Sequence, residues 1–323
     1  MSTLADVAAL ARVSKATASR AFGHPEAVSP ATAQRVFDAA AKLGFVPNTA
    51  AQQLARGRTG IIALVVPTLN NSFFTPIIAG AQLRAQELGM QLTVAVHPVA
   101  SPEEIPAFER LSRQVDGFIL AAPRGGDDLI RTAGAYKPTV LLDREAGGMA
   151  SVIADTASAF GELARRLAEA GHRHIAYIGG PEGSWQDPQR RRAVQDAVEA
   201  GGGRLSVFGP LPSTVEAGAG IAEQVRDSGA GAVIPYATAI GLGLEYALLS
   251  AGVADLPLVS SETPVAAALK QSRPTIDVDG EELGRAAAEQ LASLIEAPDA
   301  PVERLRLRVP LSCPEELSPG VTG

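Results

Sequence analysis

The residues best suited to chemistry lie near the start of the sequence, between Lys15 and Phe22. Helical spacing turns Ala18, Ala21 and Phe22 toward one face of this segment. The opposite face carries small, basic or hydrogen-bonding side chains, namely Lys15, Ala16, Ser19 and Arg20. A helix with such a face can lie in the major groove of DNA and contact base edges and phosphates. An ordinary pair of packed helices is the alternative, because short helix pairs are common.

Two further helices are predicted to hold this segment in place. Thr3 can cap a first helix whose apolar residues follow helical spacing, namely Leu4, Val7, Ala8 and Ala11. Ser14 can cap the segment itself, which leaves a turn of three or four residues between the two helices. A third helix begins at Pro30 and stops at Gly44. The pattern therefore predicts a helix-turn-helix headpiece.

Charge is distributed unevenly along the 323 residues. The whole chain carries a net charge of −7, but residues 1–58 hold seven Arg or Lys against three acidic residues. The first 58 residues therefore carry +4, and the remainder carries −11. A basic head on an acidic body places any nucleic-acid contact in the head, because neutralised phosphates supply most non-specific affinity.

A short polar segment follows the headpiece. Pro47 and Asn48 open it, and Leu54 is its only large apolar side chain between Thr49 and Arg56. Eight residues are too few for a stable isolated helix, so we expect this segment to order only when something packs against it. We interpret it as a hinge.

The sequence from Thr3 to Arg58 reads TLADVAALARVSKATASRAFGHPEAVSPATAQRVFDAAAKLGFVPNTAAQQLARGR. This run resembles the DNA-binding headpiece and hinge of the lactose-repressor (LacI/GalR) family of bacterial transcription regulators, and the likeness extends to about Pro310. The resemblance implies an all-α helix-turn-helix headpiece over residues 1–47 and a hinge helix over residues 48–58. It implies a body for effector binding and dimerisation over residues 59–323.

The resemblance also implies which residues contact DNA: Lys15, Ala16, Thr17, Ser19, Arg20, Asn48, Gln52, Leu54 and Arg56. Arg20 could hold a guanine through two hydrogen bonds, and Lys15 could reach guanine or phosphate. Leu54 matches the family's hinge leucine, which inserts with its symmetry mate into the minor groove. One departure is Arg12, where the family usually has glycine; a positive φ there would cost arginine roughly 1 kcal/mol.

Apolar strands alternate with helices from Gly60 onward. The predicted strands are Ile61 to Val66, Leu92 to Val96, Gly117 to Ala121, Thr139 to Leu142, His174 to Ile178, Val233 to Tyr236, Leu258 to Ser260 and Leu305 to Val309. Their two series indicate an α/β body of two lobes with doubly wound parallel sheets, and a ligand at the carboxyl ends of the strands. The resemblance implies the same fold, that of type I periplasmic binding proteins. One lobe would comprise about 60–155 and 280–309, the other about 156–279 and 310–323.

The resemblance places a small-molecule effector between the lobes, against seven residues: Asn71, Ser72, Phe73, Phe74, Asp155, Arg190 and Glu262. The aromatic residues would lie against the effector, while Asp155 and Arg190 would bind its hydroxyls or carboxylates. Core positions and surface ion pairs are the alternatives for these residues. Ala237 and Thr238 replace an Asn-Asp pair that commonly touches sugar hydroxyls. This replacement argues against a standard hexose or disaccharide, whereas an arginine with two acids favours a polar, hydroxylated or partly anionic small molecule.

Several classes of protein are disfavoured. No G-x-S-x-G, Walker loop or complete G-x-G-x-x-G is present, so we expect neither enzyme activity nor a cofactor. His172 and His174 lack a third ligand at suitable spacing, so we expect no metal. The single cysteine, Cys313, excludes an internal disulfide. Because neither an export signal nor a membrane-spanning apolar run is found, we expect a cytoplasmic protein.

The sequence thus predicts a homodimeric transcription regulator, a repressor, that binds a palindromic operator in double-stranded DNA and responds to a sugar or sugar derivative. The alternative is a cytoplasmic sugar-binding or sugar-metabolising protein whose basic head serves only for oligomerisation. Affinity for palindromic DNA that falls steeply with salt separates the two hypotheses.

Overall fold

The computed structural model describes residues 2–23, 27–45, 58–253, 258–260, 273–314 and 317. The chain forms two compact units, residues 1–60 and residues 61–323, which we call the headpiece and the body. Among the described residues, no helix is both long enough and apolar enough to cross a membrane.

The headpiece contains three helices in its described part: α1 (Leu4–Ala11), α2 (Lys15–Gly23) and α3 (Pro30–Leu43). They share one core, in which Val7, Ala18 and Val36 are fully buried. Most of the buried side chains are alanine or valine, so the helices can pack closely around a small core.

Side-chain caps and a left-handed residue set the limits of α1. The Thr3 hydroxyl accepts a hydrogen bond from the Asp6 amide at 3.3 Å, and the Asp6 carboxylate accepts one from the Thr3 amide at 2.8 Å. This reciprocal pair satisfies two amides at the start of α1. Arg12 ends the helix with a φ of 55°, a conformation that costs a non-glycine residue roughly 1 kcal/mol.

The body is built on two parallel sheets. Its strands are, in chain order, β1 (Ile61–Val66), β2 (Gln91–Val96), β3 (Gly117–Ala121), β4 (Thr139–Leu142), β5 (Ala150–Ala154), β6 (His174–Ile178), β7 (Arg204–Phe208), β8 (Ala232–Pro235), β9 (Leu258–Val259), β10 (Thr275–Ile276), β11 (Arg304–Leu307) and β12 (Leu311–Ser312). The first sheet has the order β11-β5-β4-β3-β1-β2, and the second has the order β7-β6-β8-β9. β10 and β12 form a separate antiparallel ribbon.

Helices cover both faces of these sheets. They are α4 (Phe74–Glu87), α5 (Ile105–Ser112), α6 (Asp127–Gly134), α7 (Thr156–Glu169), α8 (Gln186–Ala200), α9 (Val215–Gly220), α10 (Ala222–Ser228), α11 (Thr238–Ser250) and α12 (Gly280–Glu296). In β1, Ile62 and Leu64 belong to one buried cluster, whereas Ala63 and Val65 belong to another. The alternation follows from the two-residue period of a strand, and it shows that both faces of the first sheet are buried.

The chain returns to the first sheet after completing the second. α12 packs against α4 and against β3, β4 and β5, and β11 then pairs with β5. The first sheet is therefore built from residues 61–154 together with residues 304–307.

The predicted fold class is confirmed, but the sequence analysis missed four strands: the short ribbon strands β10 and β12, and β5 and β7 of the two parallel sheets. β5 contains Ser151, which interrupts an apolar run although its side chain is completely buried. β7 lies at the edge of the second sheet, and none of its residues is fully buried. Neither strand therefore shows the continuous apolar pattern of a buried parallel strand.

Candidate DNA-binding helix and ligand cavity

The residues of α2 in the headpiece divide sharply by exposure. Ala18 and Ala21 are fully buried, as helical spacing predicts. The Ser14 hydroxyl accepts a hydrogen bond from the Thr17 amide at 3.0 Å and lies 2.8 Å from the half-buried Thr17 hydroxyl, so both residues cap the helix. Four side chains are exposed on the remaining surface of α2: Lys15, Ala16, Ser19 and Arg20.

Several predicted site residues lie outside the described residues: Asn48, Gln52, Leu54, Arg56 and Glu262. The whole of the predicted hinge helix up to Gly57 falls in the same gap. The roles assigned to these residues stay predictions.

The body contains a cavity of about 540 Å³ at the carboxyl ends of strands from both sheets. Residues that follow β1, β3 and β4 line one side, and residues that follow β6, β7 and β8 line the other. The lining side chains include Asn71, Phe73, Phe74, Arg124, Asp143, Thr156, Phe160, Gln186, Arg190, Ser213 and Tyr236. This is the position at which parallel α/β proteins bind ligands.

Asp143 is the buried acid of the cavity. It directly follows β4 with a φ of 54°, and only 3% of its surface is exposed. One carboxylate oxygen accepts hydrogen bonds from the Ala154 amide at 2.9 Å and from the Gln186 amide group at 3.3 Å. Burial raises the pKa of Asp143, while the Ala154 hydrogen bond and the charge of Arg190 act in the opposite direction. The carboxyl group thus joins the first sheet to α8.

Arg190 is held on α8 between two aromatic rings. Its guanidinium carbon lies 4.8 Å from the centroid of Phe160 and 4.5 Å from that of Tyr236. Nε donates a hydrogen bond to the Thr156 hydroxyl at 2.8 Å, and Nη1 donates one to the Tyr236 carbonyl at 3.1 Å. These contacts fix the plane of the guanidinium and leave further N–H groups able to meet a ligand.

A second hydrogen-bonded group fixes the start of α8. The Asp187 carboxylate accepts hydrogen bonds from the Tyr177 hydroxyl at 2.9 Å and from the Gly180 amide at 2.8 Å. Burial raises the pKa of Tyr177, so this phenol stays protonated and donates to Asp187. The anchored helix start positions Gln186 and Arg190 at the cavity.

The structure brings four of the predicted effector residues to the cavity wall: Asn71, Phe73, Phe74 and Arg190. It places two others elsewhere. Ser72 is exposed and does not line the cavity. Asp155 caps α7, because its carboxylate accepts a hydrogen bond from the Ser158 amide at 3.5 Å, and it also accepts one from the Ser158 hydroxyl at 2.8 Å. One of its oxygens lies 3.8 Å from Arg306.

Sequence reasoning missed most of the polar wall, namely Arg124, Asp143, Thr156, Gln186 and Tyr236. A signal was available for three of them. Arg124 and Asp143 follow the ends of predicted strands, and Tyr236 is the last residue of another, which is where a ligand site was expected. Thr156 and Gln186 lie at the starts of helices and carry no comparable signal.

The histidines make contacts within the protein. His174 lies 2.8 Å from the Ser206 hydroxyl and 2.9 Å from Arg204, and burial, followed by the Arg204 charge, lowers its pKa. His172 lies 2.7 Å from the Leu317 carbonyl. Among the described residues, no group of three or more His, Cys, Asp or Glu side chains is arranged to hold a metal ion.

Two family models match the chain. The model described as bacterial regulatory proteins, lacI family, covers residues 3–48. The model described as periplasmic binding protein-like domain covers residues 164–313. The first match coincides with the headpiece helices, and the second covers most of the second sheet, α12 and β11.

Similar proteins are transcriptional regulators by name. The HTH-type transcriptional regulator AglR of Rhizobium meliloti (strain 1021) is 32% identical over 277 residues, which are 80% of this chain and 77% of AglR. The HTH-type transcriptional regulator CelR of Thermobifida fusca is 33% identical over 210 residues, so the aligned part spans 62% of this chain and 62% of CelR. The alignment with CelR therefore spans less than two thirds of that relative's length.

A solved structure, the lac repressor dimer bound to operator and the anti-inducer ONPF, resembles this chain with a TM-score of 0.79. The two sequences are 25% identical, and the match covers 98% of this chain and 99% of that chain. A helix-turn-helix headpiece followed by a two-lobed body with a cavity at the strand ends defines a class of transcriptional regulators. The chain belongs to the LacI family of bacterial regulatory proteins.

Proposed function

We propose that this LacI-family regulator binds a palindromic operator in double-stranded DNA as a homodimer, and that a small polar effector in the cavity controls the binding. The exposed face of α2 is the observation that carries the proposal. It presents Lys15, Ser19 and Arg20 on a helix that is capped and buried on its other side. Lysine and arginine reach guanine edges and phosphates, and serine donates to either. The net charge of +4 over residues 1–58 supports the same role.

Exposed apolar side chains support association of the body with a second copy. β2 is the outer strand of the first sheet, and Val94 and Val96 on it are 39% and 46% exposed. The adjoining α4 and the turn after it expose Leu83 and Leu88. An apolar sheet edge favours pairing with another chain. A palindromic site then follows from the two-fold symmetry of a homodimer.

The chemistry of the cavity supports a sugar or sugar derivative as the effector. The Phe73 ring lines the cavity with apolar surface, while Asp143 and Arg190 offer an acceptor and a donor. Such a mixture suits a hydroxylated ring with apolar faces. We further propose that the regulator is a repressor, and that the effector acts by binding the two arrangements of the body with different affinities.

The proposal is tested by selecting sequences from a genomic fragment library with the purified chain at modest ionic strength. We expect an inverted repeat to be enriched, with an affinity that falls steeply as salt is raised. Arg20→Ala should weaken binding to that sequence by about 10- to 100-fold in a gel-shift titration, because an arginine that reads a guanine contributes about 1–3 kcal/mol.

Arg110→Ala provides a charge-matched control for this experiment. Arg110 is exposed in the last turn of α5 in the body, and its replacement removes the same charge without touching α2. Operator affinity should remain unchanged in this variant. Failure to enrich any inverted repeat, or equal losses for Arg20→Ala and Arg110→Ala, would show that α2 does not read DNA.

A further inference from the structure

A second arginine of the cavity, Arg124, has a guanidinium that makes no hydrogen bond or ion pair with the described residues. The residue follows β3, and its backbone is fixed because its amide donates a hydrogen bond to the Pro98 carbonyl at 2.9 Å. Its half-buried side chain lines the cavity. No hydrogen bond or ion pair joins this guanidinium to any residue within the described parts of the chain. With respect to the described residues, the wall therefore contains a positive charge whose donors are available to a ligand.

Two other arginines are engaged differently: Arg190 of the same cavity, and Arg144, which directly follows the lining residue Asp143. Arg144, which is buried, donates to the Gly125 carbonyl at 3.0 Å and pairs with Asp127 at 2.8 Å. Arg190 donates to the Thr156 hydroxyl and to the Tyr236 carbonyl. Their contacts are structural or orienting, whereas the donors of Arg124 are unused within the described protein.

The acids that line the cavity do not neutralise Arg124 by direct contact. Asp143 is buried and directs one oxygen to Ala154 and Gln186. Glu182 is exposed and makes no described hydrogen bond or ion pair with Arg124. On the wall formed by residues that follow β7, the buried Ser213 hydroxyl also has no hydrogen-bond partner among the described residues. A guanidinium with unused donors suits an anionic group that bears several oxygens.

We propose that the effector carries an anionic oxygen group, a carboxylate or a phosphate, and that Arg124 binds this group. The inference rests on the proposed function, because it takes the ligand of the cavity to be the effector. The hydroxylated part of the molecule would then lie against Arg190 and the aromatic rings. A planar guanidinium binds a carboxylate or phosphate through two parallel hydrogen bonds, so Arg124 supplies specificity as well as charge.

The test compares neutral and anionic molecules of the same skeleton by calorimetric titration of the full chain at constant ionic strength. The probes are D-glucose, D-gluconate and D-glucose 6-phosphate, with D-galactose, D-galactonate and D-galactose 6-phosphate as the second series. We expect at least one anionic probe to bind about tenfold or more tightly than its neutral parent, because charge-assisted hydrogen bonds exceed neutral ones. A preference for the acid identifies a carboxylate, and a preference for the phosphate ester identifies a phosphate.

Three variants test whether Arg124 is responsible for the preference for anionic probes. Arg124→Leu should abolish it, and Arg124→Lys should retain part of it, because lysine keeps the charge without the paired donors. Arg191→Leu removes the same charge from an exposed residue of α8 outside the cavity, and it should leave the preference intact.

Three results would overturn the proposal: neutral parents that bind as tightly as their anions, binding by none of the anionic probes, or an anion preference that survives in Arg124→Leu. Gel-shift titrations of the same preparations measure operator binding separately. A chain that fails to bind operator contradicts the proposed function, whereas a chain that binds operator but shows no anion preference contradicts only the role of Arg124.

Discussion

Asp143 combines two unfavourable features at one residue. Its φ of 54° lies in the left-handed region, and its carboxyl group is buried with a raised pKa. Both features cost stability. Strained backbones and perturbed pKa values are common at binding sites, because a strained backbone can orient a polar group toward a ligand. Ala122, another lining residue that follows a strand of the same sheet, also has a positive φ of 45°.

Replacing Asp143 with asparagine should therefore stabilise the protein while weakening the ligand site. Asparagine tolerates the left-handed region and can still accept from Ala154, but it removes the buried charge. A carboxyl group with a raised pKa in the folded state destabilises that state once the pH exceeds its unfolded value of 3.8. The gain of Asp143→Asn should thus be absent below the unfolded pKa and appear as the pH rises above it.

Melting temperatures measured from pH 3 to pH 8 check this prediction. The variant and the parent should melt together at the acid end, and the variant should melt higher near neutrality. A variant that melts lower than the parent at pH 7.5 would show that the ionised carboxylate is stabilising where it lies. Calorimetric titration with a bound probe should show weaker binding to Asp143→Asn.

The contrast between Asp143 and Asp155 shows what the sequence could reveal about the cavity. Both acids follow buried strands, and the sequence analysis chose Asp155 through the family resemblance. The structure places Asp143 on the wall and uses Asp155 to cap α7. The residue type alone does not predict the left-handed backbone conformation of Asp143, because aspartate adopts many backbone conformations.

The helix pair α4 and α12 is the closest packing between elements of the first lobe. A Cβ at Gly284 would lie 2.0 Å from the Ile77 carbonyl oxygen, and one at Gly80 would lie 2.0 Å from the Glu281 carbonyl oxygen. Each distance is far below van der Waals contact, so the two backbones approach in a way that only glycine permits. Arg84 and Glu289 pair at the exposed side of the same interface.

Gly284→Ala should lower the free energy of unfolding by about 1–3 kcal/mol, because the helices must separate to admit the methyl group. Gly126→Ala is the matched control: its Cβ would meet nothing within 4 Å, and its φ of −65° suits alanine. Thermal unfolding of both variants measures the difference. Equal melting temperatures for the two variants would contradict the packing described for α4 and α12.

At the level of elements, the sequence predicted most strands of both sheets because buried parallel strands are continuous apolar runs. It could not predict the close approach of α4 and α12, since glycine within a helix has several possible causes. It also could not predict β5, whose buried Ser151 breaks the apolar pattern, or the edge strand β7. The apolar pattern along one segment thus predicts strands better than it predicts contacts between segments that are far apart in the chain.

At the scale of the whole body, the two lobes contact each other at the cavity. Gln186 of α8 donates to Asp143 at 3.3 Å and to the Ala154 carbonyl at 3.3 Å. Gly183, which lies between β6 and α8, adopts a φ of 75° beside Arg124. A Cβ at Gly183 would lie 2.6 Å from the Arg124 carbonyl oxygen. The lobes therefore meet at a position where no side chain fits between them.

Gly183→Ala should act as a wedge between the lobes and weaken ligand binding in the cavity. Gly148→Ala is its control, because Gly148 has a similar φ of 80° but a Cβ there would meet nothing within 4 Å. Both variants bear the backbone cost of alanine at positive φ, so a difference between them measures the steric contact alone.

The same two variants test whether closing the lobes couples ligand binding to DNA binding. If it does, we expect the ligand to change operator affinity by about 5- to 150-fold in the parent. This change should shrink in Gly183→Ala and persist in Gly148→Ala. Gel-shift titrations with and without the tightest calorimetric probe measure this coupling. Equal coupling in the two variants would mean that the contact at Gly183 plays no part in transmitting ligand binding to the headpiece.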